Sequence, residues 1–275
     1  MSKSFGNQFE GRFAVVTGGT QGLGEATARL FAERGAAGIV ICGRNEDRGE
    51  AVARDLTQGG CPSHFVTADL ASVEDCRAVI AKADQEFGNL NALVNCAGVT
   101  DRGTILNTTP ELFDRLFAVN TRAPFFLIQA AAKIMRREGT AGAMVNVLSM
   151  SGHGGQPFIC AYSGSKGALA TLTRNIGFSL MRDRIRVNGL NIGWMNTPGE
   201  ASIQKNYHGA PDDWLESAKK AQPFGRLLEP REVARAIAFL CSEESGMMTG
   251  SIVDFDQSVL GSYETPPAPG ARLVD

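Results

Sequence analysis

The chain has 275 residues, 43% hydrophobic and 20% charged, which describes a globular protein and excludes collagen-like, coiled-coil and disordered classes. Its 27 basic and 29 acidic side chains nearly cancel, so no basic footprint points to nucleic acid or an anionic membrane. No run of about 18 apolar residues exists to span a bilayer, and the polar stretch 1–12 has no apolar signal core. The six cysteines form no CxxC pair and several lie in apolar runs, so buried free thiols and a reducing cytoplasm are expected. His64, His153 and His208 lack zinc-ligand spacing, so no metal is expected.

Short β-branched runs alternate with helical stretches along the chain. Residues 12–18 read as a first strand and 25–34 as a helix with Ala26, Leu30 and Phe31 at helical spacing. Strands at 38–42 and 63–68 bracket a helix near 45–56, and a helix over 72–87 precedes a strand at 92–95. A long helical region covers 110–137, where Pro124 is expected to break or bend it. Then follow a strand at 143–148, a helix over 162–181, a strand at 185–190, a helix over 230–241 and a last strand at 250–255. Strands apolar on both faces, alternating with helices, predict an α/β fold. Its architecture is a single Rossmann-type doubly wound parallel sheet of about seven strands, with ligands beyond their carboxyl ends.

No linker divides residues 1–262, which read as one catalytic domain, and the Pro-rich tail 263–275 reads as extended. The segment 193–228 looks irregular and too long for a plain connection, so it is a candidate substrate lid.

Between the first strand and its helix lies Thr17-Gly18-Gly19-Thr20-Gln21-Gly22-Leu23-Gly24. Glycines there permit a tight turn and close approach of backbone to a pyrophosphate, and the helix start offers free N–H groups and a positive dipole end. Tyr162 and Lys166 are four residues apart, so on a helix they share a face. A fixed ammonium there favours the phenolate and lowers a pKa that is ordinarily near 10. Such a group accepts a proton in alcohol oxidation, and its conjugate acid serves carbonyl reduction.

The TGxxxGxG spacing, the Tyr162-Ser163-Gly164-Ser165-Lys166 segment and Ser149 thirteen residues before Tyr162 resemble the short-chain dehydrogenase/reductase (SDR) family. Asn95-Cys96-Ala97-Gly98 matches its NNAG segment with one change, and Gly193 to Thr197 matches PGxxxT with Ile192 for proline. The family usually reads VDGG near its end, where this chain has Asp254-Phe255-Asp256-Gln257.

The resemblance implies a catalytic set of Asn120, Ser149, Tyr162 and Lys166, with Ser149 bonding the substrate oxygen and Asn120 positioning a water beside Lys166. A lone mid-helix asparagine is more often a cap or kink residue, so that role rests on the family match. The resemblance also implies a nicotinamide dinucleotide bound by Gly18, Thr20, Gln21, Gly22, Leu23 and Gly24. Further contacts fall to Arg44, Asp69, Leu70, Asn95, Ala97, Gly98, Tyr162, Lys166, Gly193, Met195 and Thr197. Gly43 fills the position where an acid would bind a ribose 2′-hydroxyl, and Arg44 follows it, which favours NADP over NAD. Arg44 could instead stack on adenine without discriminating.

The substrate is expected to be a secondary alcohol or carbonyl bordered by Ser149, His153, Gln156 and Trp194. The lid's Trp194, Asn196, Glu200, Gln204, Asn206, Tyr207, His208 and Trp214 combine aromatic faces with hydrogen-bonding groups, which suits a sugar or polyol. A 3-oxoacyl thioester, another alcohol or ketone, and a non-enzymatic cofactor-binding sensor are the alternatives. A homo-oligomer, most often a tetramer, is implied, with Phe113, Leu116, Phe117, Phe125, Phe126 and Leu127 free to fill either an interface or one subunit's core.

Overall fold

In the computed structural model, which describes residues 6–262, the first strand β1 (Phe13–Thr17) is an interior strand, third of seven, in a single sheet. The others are β2 (Gly38–Gly43), β3 (Ser63–Thr67), β4 (Ala92–Asn95), β5 (Ala143–Ser149), β6 (Arg186–Ile192) and β7 (Ile252–Phe255), in the order β3-β2-β1-β4-β5-β6-β7. Every pairing is parallel, with Val15 opposite Val40 on one side and Leu93 on the other. The strands' near-continuous apolar sequences follow from that, because helices cover both faces. Side chains alternate between faces: Ala14 and Val16 join one core cluster, and Val15 joins the other.

The first face carries α1 (Gly22–Glu33), α2 (Glu46–Gln58) and α9 (Pro230–Cys241), packed through Phe31, Leu56 and Ile237. The second carries α3 (Val73–Phe87) and α5 (Ala123–Arg137) through Ile80, Leu127 and Met135. Polar caps start α2 and α3: Asn45 accepts from Arg48 N–H, and Ser72 from Asp75 N–H. Glu229 and Glu232 form a reciprocal capping box on α9.

Two segments differ from the sequence reading. The region 110–137 is divided into α4 (Pro110–Phe117) and α5 by one π-helical turn, Ala118–Arg122. Pro124 has no N–H to return to the Asn120 carbonyl, so the ladder skips a residue and Ala123 N–H bonds the Ala118 carbonyl. Pro124 itself lies in the first turn of α5, where a missing donor is tolerated.

The segment 193–228 is not irregular throughout, since it holds α7 (Pro198–His208) and α8 (Trp214–Lys220). Its stem is closed by a short parallel bridge between Met195 and Leu228. Thr197 caps α7 by accepting from Glu200 N–H, and Gly209 ends it in the left-handed region.

The thiols of Cys42, Cys61, Cys76 and Cys241 are buried, and burial pushes Cys42 and Cys241 up to about 12. Cys160 departs from that expectation: it is exposed on the first turn of α6 (Cys160–Ser179). No helix among the described residues is long and apolar enough to cross a membrane. The expected tail 263–275 lies outside the described residues.

Candidate active site

All of the sequence-selected residues of the catalytic set gather at the carboxyl end of β4 and β5 and the start of α6. Ser149 ends β5, and its Oγ accepts from Ser151 N–H at 3.1 Å, which turns the chain into a short 3-10 helix. Tyr162 and Lys166 lie one turn apart on α6, with the Lys166 Nζ 5.9 Å from the Tyr162 ring centroid. Lys166 is buried and donates to the Val147 carbonyl at 2.8 Å. Ser149 lies near enough to the Tyr162 phenol to pull it down.

Asn120 sits in the π turn, fully buried. It clamps the chain after β4, since Val99 N–H donates to its Oδ1 at 3.0 Å and its Nδ2 donates to the Val99 carbonyl at 2.9 Å. The same Nδ2 reaches Ser165 Oγ at 3.1 Å, which ties the π turn to α6. Gly98 is wedged between these groups: a β-carbon there would lie 3.3 Å from Asn120 Oδ1 and 3.5 Å from Lys166 Nζ.

Electrostatics here differ from the simple expectation of a lysine that lowers a tyrosine. Burial pushes the Tyr162 phenol up, Ser149 and the Arg102 charge pull it down, and Glu200 pushes it up again. The Lys166 ammonium is held on the Val147 carbonyl, 5.9 Å from the ring centroid. Burial in turn pushes Lys166 down to about 8. Desolvation therefore dominates both groups in this state.

The glycine turn lies beside this set, at the carboxyl end of β1. Gly18 takes φ +68°, and a β-carbon on it would stand 3.1 Å from the Ala97 Cα. At Gly24 a β-carbon would lie 2.2 Å from the Gly18 carbonyl, so helix and turn can meet this closely only without side chains. Gln21 precedes α1 in extended conformation and makes no side-chain cap, which leaves the first N–H groups of the helix free for an anion. Ala97 N–H donates to Thr17 Oγ1 at 3.1 Å and locks β4 to β1. A dinucleotide pyrophosphate suits this uncapped, glycine-lined cradle.

The remaining cofactor candidates are distributed around it. Thr197 stands next to Gly22, and Thr20 sits against Gly43. Arg44 is exposed after β2, and Arg48, which the sequence reading passed over, donates to Gln21 Oε1 at 2.6 Å. Asp69 caps its own turn by accepting from Ala71 N–H at 3.0 Å, whereas the Leu70 side chain is spent in the core. Asn95 is a strut: its Nδ2 donates to Asn146 Oδ1 at 2.8 Å, Asn146 donates to Thr173 on α6 at 2.9 Å, and Asn95 Oδ1 is buried without a partner.

At the Asp254–Gln257 departure each polar residue has a task. Asp254 accepts from Asn191 Nδ2 at 2.7 Å and contacts His153 Nε2 at 3.1 Å, which ties His153 to the β6–β7 edge. Asp256 occupies the space that a side chain on Gly193 would need. Gln257 accepts from Phe224 N–H at 2.8 Å and donates to the Arg226 carbonyl at 2.6 Å, pinning the returning arm of the lid.

Gln156 is exposed. Trp194 Nε1 donates to Glu200 Oε1 at 2.8 Å and Gln204 donates to the same oxygen at 2.7 Å. Trp214 is buried with Ala218 and Leu227 and lies 6.1 Å from Trp194, so it anchors α8.

Arg102, set over the Phe158 ring, also acts on the Tyr162 phenol and carries no motif. The one signal for it in the sequence is position, since a loop after β4 lies where open α/β sheets bind ligands.

The chain is similar to several known proteins. The model of a family described as enoyl-(acyl carrier protein) reductase matches residues 18–258. A cis-4-hydroxycyclohexanecarboxylate dehydrogenase from Sinomonas cyclohexanicum is 35% identical, covering 91% of this chain and 97% of its own. A 3alpha-hydroxysteroid dehydrogenase from Mediterraneibacter gnavus is 34% identical over 89% of this chain and 95% of its own. Among solved structures, a single-residue variant of the actinorhodin polyketide ketoreductase with NADPH superposes with a TM-score of 0.85 at 28% identity, covering 94% of this chain and 100% of that one.

Proposed function

The chain belongs to the short-chain dehydrogenase/reductase family of oxidoreductases, and from that premise we propose that it interconverts a secondary alcohol and its ketone with NADP(H). The observation that carries this reading is Tyr162 one helical turn from a buried Lys166, its ring 5.9 Å from the ammonium and its phenol pulled down by Ser149, beside an uncapped glycine turn. When bound, the nicotinamide supplies or accepts the hydride. The Tyr162 hydroxyl gives a proton to the carbonyl oxygen in reduction and takes it back in oxidation. Ser149 Oγ donates to that oxygen and stabilises its developing charge. Lys166 holds the ribose hydroxyls, and Asn120 keeps α6 and the chain after β4 in register while positioning a water beside Lys166.

Gly18 to Gly24 would hold the pyrophosphate, with Asp69, Asn95, Ala97 and Gly98 along the adenosine cleft and Gly193, Met195 and Thr197 toward the nicotinamide. Support for NADP over NAD comes from Gly43, which leaves no acid at the end of β2, from Arg44 after it, and from the NADPH in the ketoreductase neighbour. For the substrate we favour a ring alcohol, the class named for the Sinomonas and Mediterraneibacter relatives. A sugar or polyol has less support, because Trp194 and Gln204 spend their donors on Glu200. A 3-oxoacyl thioester is the second reading, favoured by the polyketide ketoreductase neighbour. The working form is a homo-oligomer, a tetramer, joined through the face of α4 and α5.

The test is reduction of cyclic ketones, sugars and a 3-oxoacyl thioester with NADPH and NADH, followed by cofactor absorbance. Tyr162→Phe is expected to lower turnover by about 10²–10⁴ while cofactor binding persists. Unchanged turnover in that variant would overturn the proposal.

A further inference from the structure

The loop after β4 is laid along the start of α6. Gly103 pairs with Ile159, and its N–H donates to the Phe158 carbonyl at 2.8 Å. That pairing sets Arg102 over the Phe158 ring, 5.6 Å from its centroid, where its charge acts on the Tyr162 phenol. The α7 end closes over the same loop: Tyr207 donates to Asp101 Oδ1 at 2.9 Å, and Arg102 Nε donates to His208 Nε2 at 3.3 Å.

Arg102 is half-buried, yet its donors meet only neutral acceptors, the imidazole nitrogen of His208 and the Thr100 carbonyl at 2.8 Å. Other arginines of the chain are treated differently. Arg137, Arg226 and Arg231 each grip a carboxylate at 2.6–2.7 Å. The neighbouring Asp101 gives its carboxylate to Tyr207 instead. Among the described residues, the second terminal nitrogen of Arg102 has no hydrogen bond and no ion pair. A guanidinium held by its ring contact and two neutral acceptors keeps a donor free, and partial burial without a counter-charge is costly.

Taking Tyr162 as the proton-transfer group, as the proposed function does, we propose that Arg102 binds an anionic substituent of the substrate, a carboxylate or a group of like charge and size. The substrate then bridges the mouth of the site, with its reacting oxygen at Tyr162 and Ser149 and its negative end at Arg102. Glu200 fixes the direction. Its carboxylate acts on Tyr162 from the lid and is held in place by Trp194 and Gln204, so it repels an anion from that side. Charge-assisted pairing of a carboxylate with a guanidinium is among the stronger hydrogen bonds, and it selects one orientation of a ring that would otherwise lie either way round.

The experiment compares 4-oxocyclohexanecarboxylate with its methyl ester, using NADPH, in the wild type, Arg102→Gln and Arg102→Lys. The wild type is expected to prefer the acid at least tenfold in kcat/KM, mainly through KM. Arg102→Gln should bring that ratio near one, and Arg102→Lys should recover part of it. A preference for the ester, or a ratio that survives Arg102→Gln, overturns the assignment while leaving hydride transfer intact. Should neither ketone turn over, calorimetric titration with cyclohexanecarboxylate decides the matter: the proposal stands on binding at least tenfold weaker in Arg102→Gln than in the wild type, and falls if the two bind alike. Thermal melts of both variants separate a lost contact from a lost fold.

Discussion

Lys166 is the most expensive side chain in the site. A lysine brought from 10.5 to about 8 by burial costs the folded protein roughly 3 kcal/mol at neutral pH, at about 1.4 kcal/mol per pKa unit. Its bond to the Val147 carbonyl, with a charged donor, returns about 1.5–3 kcal/mol. Lys166→Met should therefore raise Tm by at most a few degrees at pH 7 while abolishing turnover. The sign follows from proton uptake. Below pH 8 folded and unfolded chains both hold the proton, and the folded chain holds it at full cost; between pH 8 and 10.5 the unfolded chain binds more protons, so wild-type stability rises with pH. The advantage of Lys166→Met should shrink over that window, and calorimetric melts from pH 7 to 10.5 check it. An advantage that stays constant would mean that burial of charge is not its source. Tyr162 and Lys166 were legible in the sequence because a helix puts residues four apart on one face. The tuning of the phenol was not, because burial, Arg102 and Glu200 come from segments far apart in sequence.

Helices and strands were read with similar unevenness. The sheet was legible because apolar runs bounded by glycine and polar caps leave few alternatives, and 230–241 matched α9 residue for residue. The π turn was not, since Pro124 announces a disturbance without saying whether the ladder kinks or slips by one residue. The lid was read as irregular although Thr197-Pro198 and Gly209 are start and stop signals for α7. Its mixed polarity hid the pattern. Within α4 and α5 the structure divides residues that the sequence left together: Leu116 and Leu127 are buried, whereas Phe113 and Phe125 are 45% and 36% exposed. Phe113 stacks on Phe117 at 4.5 Å, and Phe117 and Phe125 line one surface hollow. If α4 and α5 join subunits, Phe125→Glu should place a charge in that contact and lower the mass seen by light scattering from tetramer to dimer or monomer. An unchanged tetramer would move the interface elsewhere.

Across the whole molecule, one geometric fact links fold to activity: the parallel sheet delivers the glycine turn, Arg44, Asn95 and Ser149 to the same edge. Binding at that edge braces β1, β4 and β5 together with α6, so cofactor affinity should be readable as global stability. Ligand at a hundred times its Kd adds about 2.7 kcal/mol, or a Tm rise of roughly 5–10 °C at about 2–4 °C per kcal/mol for a chain of this size. With Gly43 in the acid's place and Arg44 exposed beside it, NADPH should meet a favourable charge at its 2′-phosphate, and NADH should not. A tenfold weaker NADH adds about 1.4 kcal/mol less, so at equal concentration its Tm shift should fall short by roughly 3–5 °C. Arg44→Asp repels the phosphate and can accept from a ribose hydroxyl, so the order of the two shifts should reverse. Differential scanning fluorimetry without substrate makes the comparison independent of turnover. A wild type stabilised more by NADH, or an Arg44→Asp variant that keeps the original order, would remove Arg44 from cofactor selection.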